Sequence, residues 1–113
     1  MTELKNYKMF IGGEWLDSDT DKTFETLNPE NNKPWARVPE ASASDVDKAV
    51  KAAHNAFEGE WSKLLPRDRA KFLRAIGNKL RENAELLGKI ETIDTGKLFR
   101  ETNKQAIYIA EYY

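Results

Sequence analysis

The pattern of hydrophobic and polar positions changes near residue 40 of the chain. Before that point, short apolar and β-branched runs alternate with turn residues, and after it apolar residues recur at helical spacing. Strands in one block and helices in another favour an α+β fold over a βαβ sheet. We therefore predict β-hairpins over residues 1–40, followed by three to four helices over residues 41–113.

Four strands are predicted in the first block, over residues 7–11, 14–16, 23–27 and 35–38. Gly12 and Gly13 separate the first two strands, and both can adopt the positive φ angles of a two-residue hairpin turn. A strand-like segment follows these glycines rather than a helix, so they indicate a turn and not a phosphate-binding loop.

Three helical segments are predicted in the second block. Ser42 or Ser44 caps the first, with an acidic residue three positions later, and Gly59 follows its end. Pro66 is placed as the first residue of the next segment. The first two stripes of apolar residues are Val46, Ala49, Val50, Ala53 and Phe57, then Leu73, Ile76, Leu80, Ala84 and Leu87.

The boundaries of the later helices are less clearly marked. Asn83 either caps a further helix within the second stripe or marks a bend, and Gly96 is a C-terminal stop. The segment from Trp61 to Leu65 is predicted to be a connection between helices. A last helix is expected from Thr102, and it reaches the end of the sequence without a stop signal.

Composition limits the classes of partner. The chain has 113 residues, with 18 basic and 19 acidic side chains and a formal net charge of −1. This balance argues against nucleic acid or an anionic membrane as a partner, because both need a basic surface. There is no apolar run of spanning length and no signal-peptide core, so we expect a soluble, cytoplasmic polypeptide. The absence of cysteine excludes disulfides and thiol chemistry in this chain.

Six motifs in order resemble one enzyme family along the whole chain. They are Phe10-Ile11-Gly12-Gly13-Glu14-Trp15, Asn28-Pro29, Val38-Pro39-Glu40-Ala41-Ser42, the helix 46–57, Pro66-Arg67-Asp68-Arg69-Ala70, and Glu91-Thr92-Ile93-Asp94-Thr95-Gly96-Lys97. With the closing Glu111-Tyr112-Tyr113, the chain resembles the N-terminal part of an NAD(P)-dependent aldehyde dehydrogenase of the betaine-aldehyde type. This implies an incomplete part of that fold, with the catalytic domain and most of the nucleotide-binding domain absent.

The resemblance implies that the chemistry lies in later sequence. The family's glycine-rich nucleotide motif, general-base glutamate and nucleophilic cysteine follow this region and have no match here. We therefore expect no catalytic and no cofactor-binding residue in this chain, which alone is inactive. The full-length parent would oxidise an aldehyde to a carboxylic acid with NAD or NADP, and neither cofactor is expected to bind this chain tightly. The resemblance implies that this chain serves the parent enzyme as a scaffold and as a contact in a homo-oligomer.

The same resemblance implies a structural site for a monovalent cation, K⁺ or Na⁺. Its matching positions are Asp94, the hydroxyl of Thr26, and main-chain carbonyls of Thr26 and Leu27, with a further ligand from later sequence. Independently, Asp94 lies in the last turn of a helix, where the helix dipole disfavours a negative charge. A bound cation or Lys97 would offset that charge, and the alternative is an aspartate hydrogen-bonded to nearby backbone.

The last helix borders the substrate entrance in the family, so Gln105, Ile109 and Tyr112 are candidates to face it. The alternative for each is ordinary packing. His54, the sole histidine, has no catalytic pattern around it and is predicted to be a surface or boundary residue. Trp15, Trp35 and Trp61 are predicted as core or interface aromatics.

Two other functions remain as alternatives. The chain would be a stand-alone interaction module that docks on full-length subunits, or a small enzyme acting through the carboxylates of Glu91 and Asp94. The second is disfavoured because no base or nucleophile joins that pair.

Overall fold

The computed structural model describes residues 4–113, and these form five strands, five α-helices and a closing 3-10 turn. The α+β prediction is confirmed. Two compact units are present: one runs up to Leu27 and includes Lys33–Lys63, and the other joins Asn28–Asn32 to Leu64–Tyr113. The elements are β1 Lys5–Asn6, β2 Met9–Ile11, β3 Glu14–Leu16, β4 Thr23–Asn28, β5 Lys33–Pro39, α1 Ala43–Glu58, α2 Glu60–Lys63, α3 Pro66–Glu82, α4 Ala84–Thr95, α5 Phe99–Ile109 and the 3-10 turn Ala110–Tyr112.

The predicted glycine hairpin is present in the first unit. Strands β2 and β3 pair antiparallel, with Phe10 opposite Trp15. Gly12 and Gly13 have φ angles of 61° and 89°, the left-handed values that a tight hairpin of this twist requires at both central positions. The Phe10 and Trp15 ring centroids lie 4.9 Å apart, so the aromatic pair stabilises the hairpin across its strands.

The remaining strands form a sheet of order β1-β5-β4. Strand β1 was not predicted, because Lys5–Asn6 is two polar residues with no apolar alternation. It is defined by parallel pairing with β5, in which Lys5 lies opposite Ala36, and the Tyr7 N–H extends this pairing by donating to the Arg37 carbonyl at 2.9 Å.

Helix α1 begins with a complete capping box, and of the two predicted caps the structure selects Ser42. The Ser42 hydroxyl accepts from the Asp45 N–H at 3.1 Å, and the Asp45 carboxylate accepts from the Ser42 N–H at 3.0 Å. Ser18 Oγ donates to the same carboxylate at 2.9 Å. The Asp45 side chain is therefore fully bonded where it is buried, at 2% exposure, and it fixes the start of α1.

The predicted connection after Gly59 is wrong in one respect, since Glu60–Lys63 forms a one-turn helix, α2. Ser62 Oγ donates to the Gly59 carbonyl at 2.8 Å, and Lys63 pairs with Glu60 at 2.6 Å. These local bonds stabilise a single turn that is too short to show an apolar period.

Helices α3 and α4 of the second unit begin and end close to their predicted boundaries. Pro66 is the first residue of α3, and α4 ends at Gly96, which has a left-handed φ of 76°. Asn83 separates the two helices, but its side chain donates back to the Lys79 carbonyl at 2.8 Å instead of capping α4.

The predicted start of the last helix at Thr102 is wrong, because α5 begins three residues earlier, at Phe99. The Leu98 carbonyl accepts from the N–H groups of Glu101 and Thr102. No side chain caps this end, so the sequence carries no signal for it. Thr102, a residue type favoured at caps, instead lies inside the helix and donates its hydroxyl to the Gly88 carbonyl at 2.9 Å.

Small residues make up the buried hydrophobic positions of the described chain, namely Ala36, Ala84 and Ala110. Large apolar side chains are widely exposed, and Trp15 is 66% exposed. A core role is therefore wrong for Trp15 and Trp61, whereas Trp35 is half-buried. Among residues 4–113, no helix is both long and apolar enough to cross a membrane.

Candidate functional site

Asp94 lies on the last turn of α4, where it is exposed to solvent. The Gly96 N–H closes this turn by donating to the Thr92 carbonyl at 2.9 Å. Lys97 Nζ lies 2.6 Å from Glu91 Oε1, so the lysine considered as a partner for Asp94 forms an ion pair with Glu91. This ion pair neutralises Glu91, which is one of the two carboxylates in the hypothesis of a small enzyme acting through Glu91 and Asp94.

Thr26 and Leu27 lie near the end of β4, in the first unit. Thr26 is half-buried and the Leu27 side chain is exposed. Within the described residues, His, Cys, Asp and Glu side chains form no group of three that could hold a metal ion. The predicted cation site does not need such a group of three side chains. It relies on a hydroxyl, main-chain carbonyls and a single carboxylate, which are the hard oxygen donors that suit K⁺ or Na⁺.

The second unit contains a cavity of about 330 Å³ beside the end of α4. It includes Asn28, which follows Leu27 in sequence, and Ile93, which precedes Asp94. A Cβ atom on Gly96 would lie 3.0 Å from Pro29 Cγ, so the loop 28–32 packs tightly against this helix end. The complete lining is Asn28, Glu30, Thr92, Ile93, Gly96, Lys97, Leu98 and Phe99.

The loop beside this cavity is fixed by its own hydrogen bonds. Asn28 Oδ1 accepts from the Glu30 N–H at 2.9 Å, and the Asn28 carbonyl accepts from the Asn32 N–H at 2.8 Å. An asparagine side chain that bonds the backbone two residues ahead defines an Asx turn, so local bonds help to set the conformation of this loop.

The candidate residues of the last helix are all exposed. Gln105 and Ile109 lie on α5, and Tyr112 lies in the 3-10 turn that follows. The Tyr112 and Tyr108 hydroxyls are 2.6 Å apart, and their rings meet edge to face. The hydrogen bond between the two hydroxyls, and then desolvation, raise the pKa of Tyr112 above its ordinary value. Sequence reasoning missed Tyr108, although its i, i+4 spacing to Tyr112 was a usable signal.

His54 lies at the surface, as predicted, with its Nε2 3.3 Å from Glu58 Oε1 one helical turn away. Both side chains are largely exposed to solvent.

The sequence profile described as the aldehyde dehydrogenase family matches residues 15–113. The chain belongs to the aldehyde dehydrogenase family. It is 37% identical, over 97% of its length, to (Z)-2-((N-methylformamido)methylene)-5-hydroxybutyrolactone dehydrogenase of Acinetobacter baylyi, of which it covers 22%. The fold matches the NAD-dependent aldehyde dehydrogenase of Sinorhizobium meliloti with a TM-score of 0.92 and 27% identity, covering 96% of this chain and 22% of that one.

Betaine aldehyde dehydrogenase of Staphylococcus aureus, solved in complex with NAD⁺, is also similar. It is 36% identical, with a TM-score of 0.84, over 92% of this chain and 22% of that chain. The predicted resemblance is therefore confirmed. The 113-residue chain spans about a fifth of the length of each of these three relatives.

Proposed function

We propose that this chain is the N-terminal portion of an NAD(P)-dependent aldehyde dehydrogenase, in which it serves as scaffold. One observation carries the proposal. Nearly all of the chain, 96%, superposes on 22% of an enzyme of this family with a TM-score of 0.92. A match of that quality over a fifth of the relative indicates a structural portion of a larger subunit.

The chemistry of the parent would be supplied by the remaining sequence. The chain contains no cysteine, so it has no thiolate to attack an aldehyde. Oxidation of an aldehyde to an acid, and binding of NAD or NADP, belong to the parent in this proposal. The chain alone is inactive.

Two further roles complete the scaffold proposal. The exposed apolar side chains support contacts between subunits of a homo-oligomer, because large apolar surfaces favour association. Asp94, with Thr26 and Leu27, contributes to a K⁺ or Na⁺ site in the parent. This role is supported by the oxygen donors present and by the position of Asp94 at the negative end of the α4 dipole.

A chimera tests the scaffold role. The matching segment of the Staphylococcus aureus enzyme is replaced by residues 1–113, and NAD⁺-dependent oxidation of betaine aldehyde is measured. We expect activity from the chimera, and none from the chain alone or from the enzyme lacking that segment. A folded chimera that has no activity would contradict the proposal.

The alternative is a stand-alone interaction module that docks on full-length subunits, and the exposed apolar side chains favour it as a second candidate. The reading frame beyond the codon for Tyr113 separates the two. A frame that continues into a glycine-rich motif, a glutamate and a cysteine supports the enzyme portion, whereas an immediate natural stop codon supports the module.

A further inference from the structure

Two tyrosines at the end of α5 form a close pair on the surface of the second unit. The Tyr108 and Tyr112 hydroxyl oxygens lie 2.6 Å apart, and their ring centroids lie 5.3 Å apart with an interplanar angle of 83°. A spacing of four residues places such side chains on one helical face. Tyr108 is 61% exposed and Tyr112 is 73% exposed, so the two phenols contact each other and remain accessible to a reagent in solution.

The backbone beneath this pair is anchored to α3. Ala110 lies between the two tyrosines in sequence and is buried. A Cβ atom on Gly77 would lie only 2.6 Å from the Ala110 carbonyl oxygen, so the 3-10 turn packs directly on α3. Arg81 of α3 lies 3.7 Å from the Glu111 carboxylate, which adds an ion pair to the same contact. The two tyrosines are therefore presented by a packed turn, which limits how far they can separate.

Contact between two phenols is the arrangement from which a dityrosine forms. One-electron oxidation of a tyrosine removes an electron and the hydroxyl proton, and leaves a phenoxyl radical that is shared with the ring carbons ortho to the oxygen. Two such radicals join through ortho carbons, and the hydrogens at the new bond move to the two oxygens as the rings regain aromaticity. The joined rings are twisted about the new bond, and their hydroxyls can hydrogen-bond across it. Tyr108 and Tyr112 already show both features.

We propose that Tyr108 and Tyr112 are a site of oxidative modification, at which a haem peroxidase and hydrogen peroxide join the two rings by a carbon–carbon bond. The two tyrosines together lose two electrons and two protons, and hydrogen peroxide accepts them to become two molecules of water. Because the rings are held together, coupling within the chain is favoured over coupling between chains. The bond staples the 3-10 turn to the last turn of α5. This inference does not depend on the activity proposed for a parent enzyme.

Oxidation of the full chain tests the proposal. The chain is treated with a haem peroxidase and hydrogen peroxide over a dilution series and is then digested with trypsin. Cleavage after Lys104 releases residues 105–113, which contain three of the four tyrosines of the chain. Mass spectrometry measures the loss of two hydrogen atoms from this peptide, and acid hydrolysis followed by comparison with authentic dityrosine identifies the carbon–carbon bond.

Three phenylalanine variants each keep the ring and remove one hydroxyl. We expect Tyr108→Phe and Tyr112→Phe to lower the yield of the linked peptide by at least about 10-fold, because each removes one member of an oriented pair. Tyr113→Phe is the matched control, since Tyr113 is exposed in the same peptide but outside the pair, and it should keep the wild-type yield. The wild-type yield should not change on dilution, because the reaction occurs within one chain.

Fragmentation of the wild-type peptide locates the link without relying on the variants. A bond between positions 108 and 112 should suppress backbone fragments from the segment that it encloses. A link that persists in Tyr108→Phe or Tyr112→Phe, or that is lost in Tyr113→Phe, would overturn the proposal. So would a link at other positions, an ether in place of the carbon–carbon bond, or a product that consists only of cross-linked dimers and decreases on dilution.

Discussion

A Cβ atom placed on Gly88 would lie 2.9 Å from both the Cα and the N of Asn103. Helices α4 and α5 therefore cross with their backbones in contact, and only glycine fits at this point. We expect Gly88→Ala to lower the free energy of unfolding by about 1–3 kcal/mol, because the added methyl group must push the helices apart. Urea unfolding followed by circular dichroism measures this.

Lys104→Ala is the control for the Gly88 substitution, since it also introduces alanine into the α4–α5 pair, but at an exposed position. Its effect should stay within about 0.5 kcal/mol. Equal stabilities of the two variants would show that the close crossing does not constrain this unit.

The Thr102 hydroxyl is a second constraint on the same crossing. Thr102 is fully buried, and its hydroxyl bonds the Gly88 carbonyl at 2.9 Å and lies 3.1 Å from Thr92 Oγ1. We expect Thr102→Val, which keeps the shape but removes the hydroxyl, to destabilise the chain by about 1 kcal/mol. The thermal midpoint of this variant is compared with that of Thr23→Val, a control at an exposed strand position. Equal midpoints for the two variants would contradict a stabilising role for the Thr102 hydroxyl.

Asp45 makes the stability of the first unit sensitive to acid. Its carboxylate accepts from the Ser42 N–H, and further from the Ser18 hydroxyl and the Asp19 N–H, which lowers its pKa from 3.8 to about 2. A depressed pKa stabilises the folded state above the unfolded-state value, and that stabilisation is lost as pH falls from about 4 to about 2. Wild-type stability should decline across this range.

Asp45→Asn isolates that effect, since the amide cannot ionise. We expect the variant to be less stable than wild type near neutral pH, with the difference shrinking as the pH approaches 2. Asp47→Asn, an exposed acidic position on the same helix, should show no such convergence. A constant gap between Asp45→Asn and wild type at every pH would exclude the carboxylate as the source.

The cation site predicts an ion-specific effect in the chimera. Replacing tetramethylammonium by K⁺ or Na⁺ at equal ionic strength should raise the thermal midpoint, because only the small ions fit oxygen ligands. Asp94→Asn should reduce this rise, whereas Asp47→Asn should leave it unchanged. An Asp94→Asn chimera that keeps the full response would contradict a ligand role for Asp94.

The isolated chain should associate in solution. Many of its large apolar side chains are exposed to solvent, and exposed apolar surface favours association. Sedimentation velocity over a concentration series should show species larger than the 13.0 kDa monomer. A compact monomer at the highest concentration would be the contrary result.

Local sequence signals were enough to predict the turns and helix ends that depend on one or two residues. Gly12, Gly13 and Gly96 tolerate the positive φ of turns and helix ends, the Ser42 hydroxyl can cap a helix, and Pro66 suits a first helical turn, so these residues marked the boundaries correctly. The start of α5 at Phe99 was missed because the Leu98 backbone carbonyl makes that end without a capping side chain. Strand β1 was missed because its pairing with β5 is distant in sequence.

The candidate site was harder to predict than the fold. A helical spacing shows that Glu91 and Asp94 share a face, but it cannot show that Lys97 pairs with Glu91. Likewise, the buried bond between Ser18 and Asp45 joins residues 27 positions apart, so no local pattern contains it. Side-chain partners across such distances depend on packing that sequence periods do not encode.

The crossing of α4 and α5 also has a consequence for synthesis on the ribosome. The two helices are neighbours in sequence, so Gly88 and Asn103 meet as soon as the chain has emerged to Ile109. Short-range contacts of this kind form quickly. In a subunit of the relatives' length, roughly 400 residues would still follow, which takes roughly 20–80 s at ~5–20 residues per second. For that time Ile76 of α3, which is 47% exposed in this chain, would remain in contact with water on the nascent polypeptide.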